Sequence, residues 1–285
     1  MTPTPTTRAD ATRTAAGLER AFAFERAMHA AAGRTVTAAW GQAYLAPEID
    51  RCYDQNMLWV VGDGDGIGAA ALDAHAERLL GGEGMAHRRL MVEPAADARL
   101  RDGLIAHGYG VGSHVFQLWP GGAREPDAVS GVVVGEGSVD EVLEATERYL
   151  VSDPDTPYGR DPRTRRHLLE HHRSYGPAGA DERRFVVRDG GAVVAWARLW
   201  VRGDEAQVED VVVLASHRGR GLGRAVVAAA TRAALVAQPS LLFIVADADD
   251  WPQDLYARLG YATAGALGVY LRFARLPQAS GPGAA

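Results

Sequence analysis

Between Val211 and Arg224 the chain reads VVVLASHRGRGLGR. A β-branched run, predicted to be a strand end, passes into a loop carrying Gly219, Gly221 and Gly223. An Ala/Val/Leu-rich helix is predicted to begin at once and to run to about Ala237. A helix N-terminus presents unpaired backbone N–H groups and a partial positive charge. Glycines let an anion approach that backbone, and Arg218, Arg220 and Arg224 add full charges. The combination is an anion cradle, in which each charge-assisted hydrogen bond to a phosphate contributes about 1–3 kcal/mol. A glycine turn with solvated arginines is the plainer alternative. The co-occurrence of strand, glycines, arginines and helix argues against it.

Arg218-Gly219-Arg220-Gly221-Leu222-Gly223 resembles the R/Q-x-x-G-x-G/A motif of the GNAT N-acetyltransferase superfamily. The resemblance spans about residues 130–275 and includes the downstream strand LLFIVADAD and helix WPQDLYARLGY. It implies that the loop, through Arg224, binds the pyrophosphate of acetyl-CoA. It also implies that Val211, Val212 and Val213 pair with the pantetheine arm on a strand that splays from its neighbour. Tyr256 then stands where many relatives place the acid that protonates the leaving thiolate. A phenol is a weak acid, but a nearby nascent thiolate is a suitable acceptor. Relatives often carry Asn seven residues before that tyrosine; this chain has Asp249, whose contact with the cofactor is in doubt.

Direct attack on a thioester needs a neutral amine. At neutral pH roughly one lysine-like amine in a thousand is neutral, a deficit of about 4 kcal/mol. A carboxylate base answers that need. Glu209 and Asp210 are consecutive on the predicted central strand, so alternation points them to opposite faces and one can reach a cleft. The resemblance favours Glu209 as the base. The choice between the two stays open, as does a purely structural role. His167 and His171 stand at i, i+4 but lack a third ligand at suitable spacing, so a solvated helix face is expected rather than a metal site. Tyr158, in a proline-rich loop, could wall the acceptor site.

The elements that must hold these groups alternate through the second half. VSGVVVGEG is predicted as a strand, and Ser138 and Glu141 have capping-box spacing ahead of a helix with 3.6-residue apolar periodicity. TRRHLLEHH reads as a polar helix, and three strand-like runs follow, joined first by a turn at Asp189-Gly190-Gly191. Pro252 opens a short helix that Gly260 closes, and a last strand runs to Phe273. The fold class is α/β with a mixed sheet, GNAT-like in the second half.

The first half looks like a degenerate copy of the second. LWVVGDGDGIGAAALDAHAERLL repeats strand, glycine loop and helix, and RLRDGLIAHGYGVGSHVFQLW echoes DLYARLGYATAGALGVYLRF at a nearly equal offset. Asp63 and Asp65 replace the arginines and would repel a pyrophosphate; Leu104 takes the place of Tyr256. The expected organisation is a structureless stretch over 1–14, a degenerate GNAT-like domain over 15–120, and a linker over 121–128. A catalytic GNAT domain over 129–275 and a structureless tail over 276–285 complete it. The copy is expected to shape the acceptor cleft or support the fold.

The 285 residues suffice for two average domains, and all 30 basic residues are arginine. A net charge of −6 argues against a general nucleic-acid binder and hints at a cationic acceptor. Cys52 is the single cysteine, which excludes an internal disulfide and a cysteine-based zinc site; a packing role is expected. No apolar run approaches a membrane span, and MTPTPTTRADATRT lacks a signal-peptide core, so a cytoplasmic protein is expected. The expected activity is transfer of an acetyl group from acetyl-CoA to a primary amine of a small molecule or peptide, without metal. Oligomeric state is not legible. Two other readings compete. One is a non-catalytic acyl-CoA sensor or scaffold. The other is a dinucleotide-binding oxidoreductase using the loop at 62–69, where Gly64-Asp65-Gly66-Ile67-Gly68-Ala69 fits G-x-G-x-x-A. No strand ending in an acid follows at the required spacing, which weighs against it.

Overall fold

The computed structural model describes residues 8–176 and 178–273. The first half comprises α1 (Arg8–Ala31), β1 (Arg34–Ala38), β2 (Gly41–Leu45), β3 (Met57–Val60), α2 (Ala69–Ala76), β4 (His87–Val92), α3 (Pro94–Ala106) and β5 (Gly110–Leu118). The second comprises β6 (Gly135–Glu136), α4 (Val139–Ser152), α5 (Pro162–Ser174), β7 (Asp181–Asp189), β8 (Ala192–Arg202), β9 (Glu205–Val213), α6 (Leu222–Val236), β10 (Leu241–Asp247), α7 (Pro252–Leu259) and β11 (Ala262–Phe273). The repeat seen in the sequence is present in space. β1 and β2 correspond to β7 and β8, and β3-α2-β4-α3-β5 to β9-α6-β10-α7-β11.

All strands join one 11-stranded mixed sheet in the order β1-β2-β3-β4-β11-β5-β10-β9-β8-β7-β6. The two halves have exchanged their last strands. β5 lies antiparallel beside β10, with Asp247 opposite His114, and β11 lies antiparallel beside β4, with Gly268 opposite Val92. β5 and β11 then pair with each other at the pseudo-two-fold centre. Neither half closes its own sheet, so the backbone donors and acceptors of each are satisfied by the other.

α1 lies across this join. Leu18, Ala21, Phe22, Glu25, Met28 and His29 recur at helical spacing and are buried against the sheet. Phe22 packs edge-on to Phe116 at 4.9 Å between ring centroids, and Phe24 to Phe243 at 5.4 Å. The apolar stripe therefore carries two titratable residues, Glu25 and His29, into the interior. α6 covers the second half, burying Val226, Val227, Ala228 and Ala230, and Ser138 caps α4 through the expected reciprocal bonds with Glu141.

Three expectations are corrected. α1 begins at Arg8, inside the stretch 1–14 expected to lack structure; the expected tail at 276–285 lies outside the described residues. VSGVVVGEG forms only the two-residue β6, because β7 offers it just Phe185 and Val186 as partners. His167 and His171 are buried, not solvated. The face of α5 that carries them packs against the first half, where His167 Nδ1 lies 3.2 Å from Asp50.

Candidate active site

The parallel pairing of β9 with β10 runs from Glu205/Leu241 to Val208/Ile244 and stops. Glu209–Val213 and Val245–Asp247 continue beyond that point without pairing, so the sheet splits open. One lip of the split leads into a groove of about 630 Å³ lined by Val211, Val212, Val213, Arg218, Gly219, Gly221, Leu222, Gly223, Arg224 and Tyr256. Every expected cofactor residue but Arg220 stands on it; Arg220 turns back to the Ser216 carbonyl.

The loop geometry suits an anion. Gly219 and Gly221 both have φ of 76°, a left-handed conformation that strains residues with a Cβ. Gly221 forms the N-cap of α6 without any side-chain cap. The backbone N–H groups from Gly219 to Arg224 take no partner among the described residues. Arg218 is committed elsewhere: it bonds Asp153 at 2.6 Å and Asp155 at 2.8 Å, tying the loop to the end of α4. Arg224 is thus the arginine of the motif that lines the groove without an ion-pair partner among the described residues. Asp250, rather than Asp249, lines it. The Tyr256 hydroxyl takes no hydrogen-bond partner among the described residues. Burial, followed by the nearby Glu209, pushes its pKa up, which keeps it protonated.

At the base of the split, β9 departs from alternation. Trp196 faces Val212 and Arg198 faces Glu209, so β9 carries one extra residue against β8. The bulge falls at Asp210, whose φ is 53°. Glu209 and Asp210 therefore do not diverge to opposite faces as expected. Both line a second cavity, of about 530 Å³, which Tyr149 separates from the cofactor groove by lining both. The cavity lies between the halves. The first contributes Glu25, His29, Asp54, Arg89 and His114; the second contributes Tyr158, His171, His172, Tyr175, Arg198 and Asp247. Tyr158, expected to wall an acceptor site, lines this cavity. Glu25, His29 and His172 carried no signal in the sequence, because their approach to Glu209 depends on how α1 and α5 dock.

The carboxyls of this cavity differ sharply. Gln207 donates to Glu209 at 2.8 Å and also bonds Glu25. Burial, then the charges of Glu25 and Asp210, raises Glu209 well above the usual carboxylate range. Burial raises Glu25 to about 7. For Asp210, burial is outweighed by the charge and hydrogen bond of His172, by Arg198 and by Trp196, which together hold it well below that range. Trp196 Nε1 donates to Asp210 at 3.1 Å, and His172 Nδ1 lies 3.4 Å from the same oxygen. Burial lowers His29 to about 4 and His171 to about 3, keeping both neutral.

The corresponding place in the first half is closed. β3 pairs with β4 to its last residue, Val60 opposite Val92. The buried Glu93 then latches the strand ends: it accepts from Gly62 N at 2.7 Å and from Trp59 Nε1 at 2.9 Å, and pairs with Arg26. The N–H groups of Gly62, Gly64, Asp65 and Ile67 are all paired internally, and Arg99 binds the loop carbonyls of Asp63 and Ile67. Those four loop donors are not open to a pyrophosphate or a dinucleotide.

Cys52 is buried and its thiol pushed up by burial, as fits a packing residue. Among the described residues no cluster of metal ligands occurs and no helix is long and apolar enough to cross a membrane.

The split sheet, the open glycine loop and the flanking cavity belong to an α/β protein with a single mixed sheet. Residues 143–261 match the Acetyltransferase (GNAT) family, and the chain therefore carries a GNAT acetyltransferase domain. A GCN5-related N-acetyltransferase from Kribbella flavida shares the fold at 21% identity, with a TM-score of 0.61 over 92% of this chain and 97% of that one. A conserved protein from Staphylococcus epidermidis, described as functionally unknown, does so at 15% identity, with a TM-score of 0.60 over 85% and 95%. No curated protein matches the chain.

Proposed function

We propose that the protein is an N-acetyltransferase that moves an acetyl group from acetyl-CoA to a primary amine. The reading rests above all on one observation: the unpaired end of β9 lies between a loop of open N–H groups and an acidic cavity. The pyrophosphate would sit on the N–H groups of Gly219 to Arg224, and the pantetheine arm would complete the hydrogen bonds of Val211 to Val213. This places the thioester at the mouth of the second cavity, which holds the acceptor. The Glu25–Glu209 pair favours an ammonium as its occupant, and Glu209 meets the amine as it sheds its proton. When the C–S bond breaks, Tyr256 protonates the thiolate. The first half serves as one wall of the acceptor cavity and has no cofactor site of its own.

The test is release of free CoA thiol by the full chain across a panel of polyamines, aminoglycosides and peptide amines. Turnover with at least one amine is expected. Acetyl-CoA binding with no turnover on any amine would leave a non-catalytic acyl-CoA sensor as the better reading.

A further inference from the structure

Resting on the acetyl-transfer reading, we propose that His172, oriented by Asp210, is the group that takes the proton from the acceptor amine. His172 lies on the last turn of α5 and lines the acceptor cavity together with Glu209 and Asp210. Its Nδ1 stands 3.4 Å from the Asp210 carboxylate, and its Nε2 has no partner among the described residues. An imidazole held at one nitrogen by a carboxylate and open at the other accepts a proton at the open nitrogen.

The dyad is built into the fold. The β9 bulge turns Asp210 toward the cavity instead of the opposite sheet face. Trp196 Nε1, at 3.1 Å, fixes its carboxylate. Arg198, itself buried and held by Glu182 at 2.5 Å, donates to the carbonyls of His172 at 3.3 Å and Tyr175 at 2.8 Å. A cation on the last carbonyls of α5 fastens the helix end that carries His172.

The other groups of the cavity suit the task less well. Glu209 is bonded by Gln207 and stands beside Glu25, and burial with the neighbouring charges raises it well above the usual carboxylate range, so its ionised form is disfavoured. His29 and His171 are neutral, but each has a fully buried Nδ1 with no partner, and no carboxylate orients His171. His114 does have a carboxylate, Asp247, at 3.2 Å, but that side chain is 70% exposed, whereas Asp210 is 13% exposed. A solvent-screened pair orients an imidazole weakly.

The chemistry balances without further reactants. The ammonium passes one proton to Nε2 of His172, and its freed lone pair attacks the thioester carbonyl. The N–C bond forms and the C–S bond breaks. The thiolate takes the Tyr256 proton, the surplus proton of the new amide nitrogen restores the tyrosine, and the imidazolium releases its proton to solvent.

The experiment is a pH–rate profile of kcat/KM for the full chain with an amine that the wild type acetylates. The groups facing His172 are Glu209, Asp210, Trp196, Arg198, His171 and Tyr175, with Glu25 and His29 across the cavity. A base must be unprotonated, so the wild-type rate falls on the acid side. His172→Gln is expected to lower kcat about 10²-fold or more and to abolish that acid limb, with KM for acetyl-CoA unchanged. His172→Ala is expected to recover rate on addition of imidazole. Asp210→Asn, a change in a positioning residue, should displace the limb and lower kcat while His172 remains. Should His172→Gln misfold, the Ala variant with imidazole and Asp210→Asn decide the matter. The proposal is overturned if His172→Gln stays within about threefold of wild type, or if Glu209→Gln or His114→Gln alone removes the limb. Binding of acetyl-CoA without wild-type turnover on any amine overturns the acetyl-transfer reading itself, and this proposal with it.

Discussion

Glu209 and Asp210 are adjacent in a strand, yet both side chains line one cavity, because a bulge at Asp210 with φ of 53° cancels the alternation between them. The bulge coincides with the place where β9 leaves β10. One irregularity therefore opens the sheet, exposes the backbone of Val211 to Val213 and gathers two acids of opposite protonation preference at the opening.

Tyr256→Phe tests the proton donor. The ring and its packing remain, and only the hydroxyl is lost. Turnover measured by thiol release should fall about 10²-fold, while acetyl-CoA affinity measured by calorimetry should be unchanged. Equal turnover would remove Tyr256 from the mechanism.

The glycines of the loop should separate by conformation. Gly221 has φ of 76°, so Gly221→Ala forces a left-handed alanine, at a cost of about 1–2 kcal/mol, and should weaken acetyl-CoA binding. At Gly223 an added Cβ meets only Val213 at 3.5 Å and Leu255 at 3.8 Å, ordinary contacts. Gly223→Ala is expected to leave stability unchanged or raise it by up to about 1 kcal/mol. Chemical denaturation of both variants makes the comparison.

Glu93 should matter to stability and not to cofactor binding. Glu93→Gln leaves the largely buried Arg26 without its charge partner and weakens the bonds to Gly62 and Trp59. A loss of about 3 kcal/mol is expected. Acetyl-CoA should still bind one per chain at wild-type affinity; a second site appearing in the calorimetric titration would contradict the closed first half.

The exchanged strands predict a single unfolding transition. Residues 129–285 expressed alone lack β5, leaving an open edge on β10 and on β11. That fragment should be insoluble or unfolded by circular dichroism and should recover on co-expression with residues 1–128. Independent folding of the second half, or two separate transitions in the full chain, would contradict it.

Stability should decline as pH falls below about 6.5. Burial lowers His29 and His87 to about 4 and His171 to about 3, so on acidification unfolding takes up protons that the folded state refuses. Their contribution is present above the ordinary imidazole value and is lost toward the folded one. Glu25, raised to about 7, and Glu209, raised well above the usual carboxylate range, act oppositely: their contribution is full below about 4.5 and is lost as pH rises through their folded values. Three histidines outweigh these two carboxyls between 4.5 and 6.5. Urea midpoints across that window should fall with pH, and His171→Gln should flatten the slope. A midpoint independent of pH would refute the assignment.

The chain by itself determined what depends on near neighbours. The strand–glycine–arginine–helix segment at Val211–Arg224, the capping box at Ser138 and the proline-opened α7 with Tyr256 are all encoded by local spacing, and each took the form expected of it. The tertiary structure decided what depends on distant partners. The bulge at Asp210 arises from the register of β9 on β8, so alternation alone misassigned its face. The burial of His167 and His171 comes from α5 docking on the first half. The same docking, with that of α1, brings His172, Glu25 and His29 to the cavity that Glu209 and Asp210 line. The exchange of β5 and β11 satisfies hydrogen bonds between segments more than a hundred residues apart, and no local pattern of hydrophobicity distinguishes a strand kept by its own half from one given to the other.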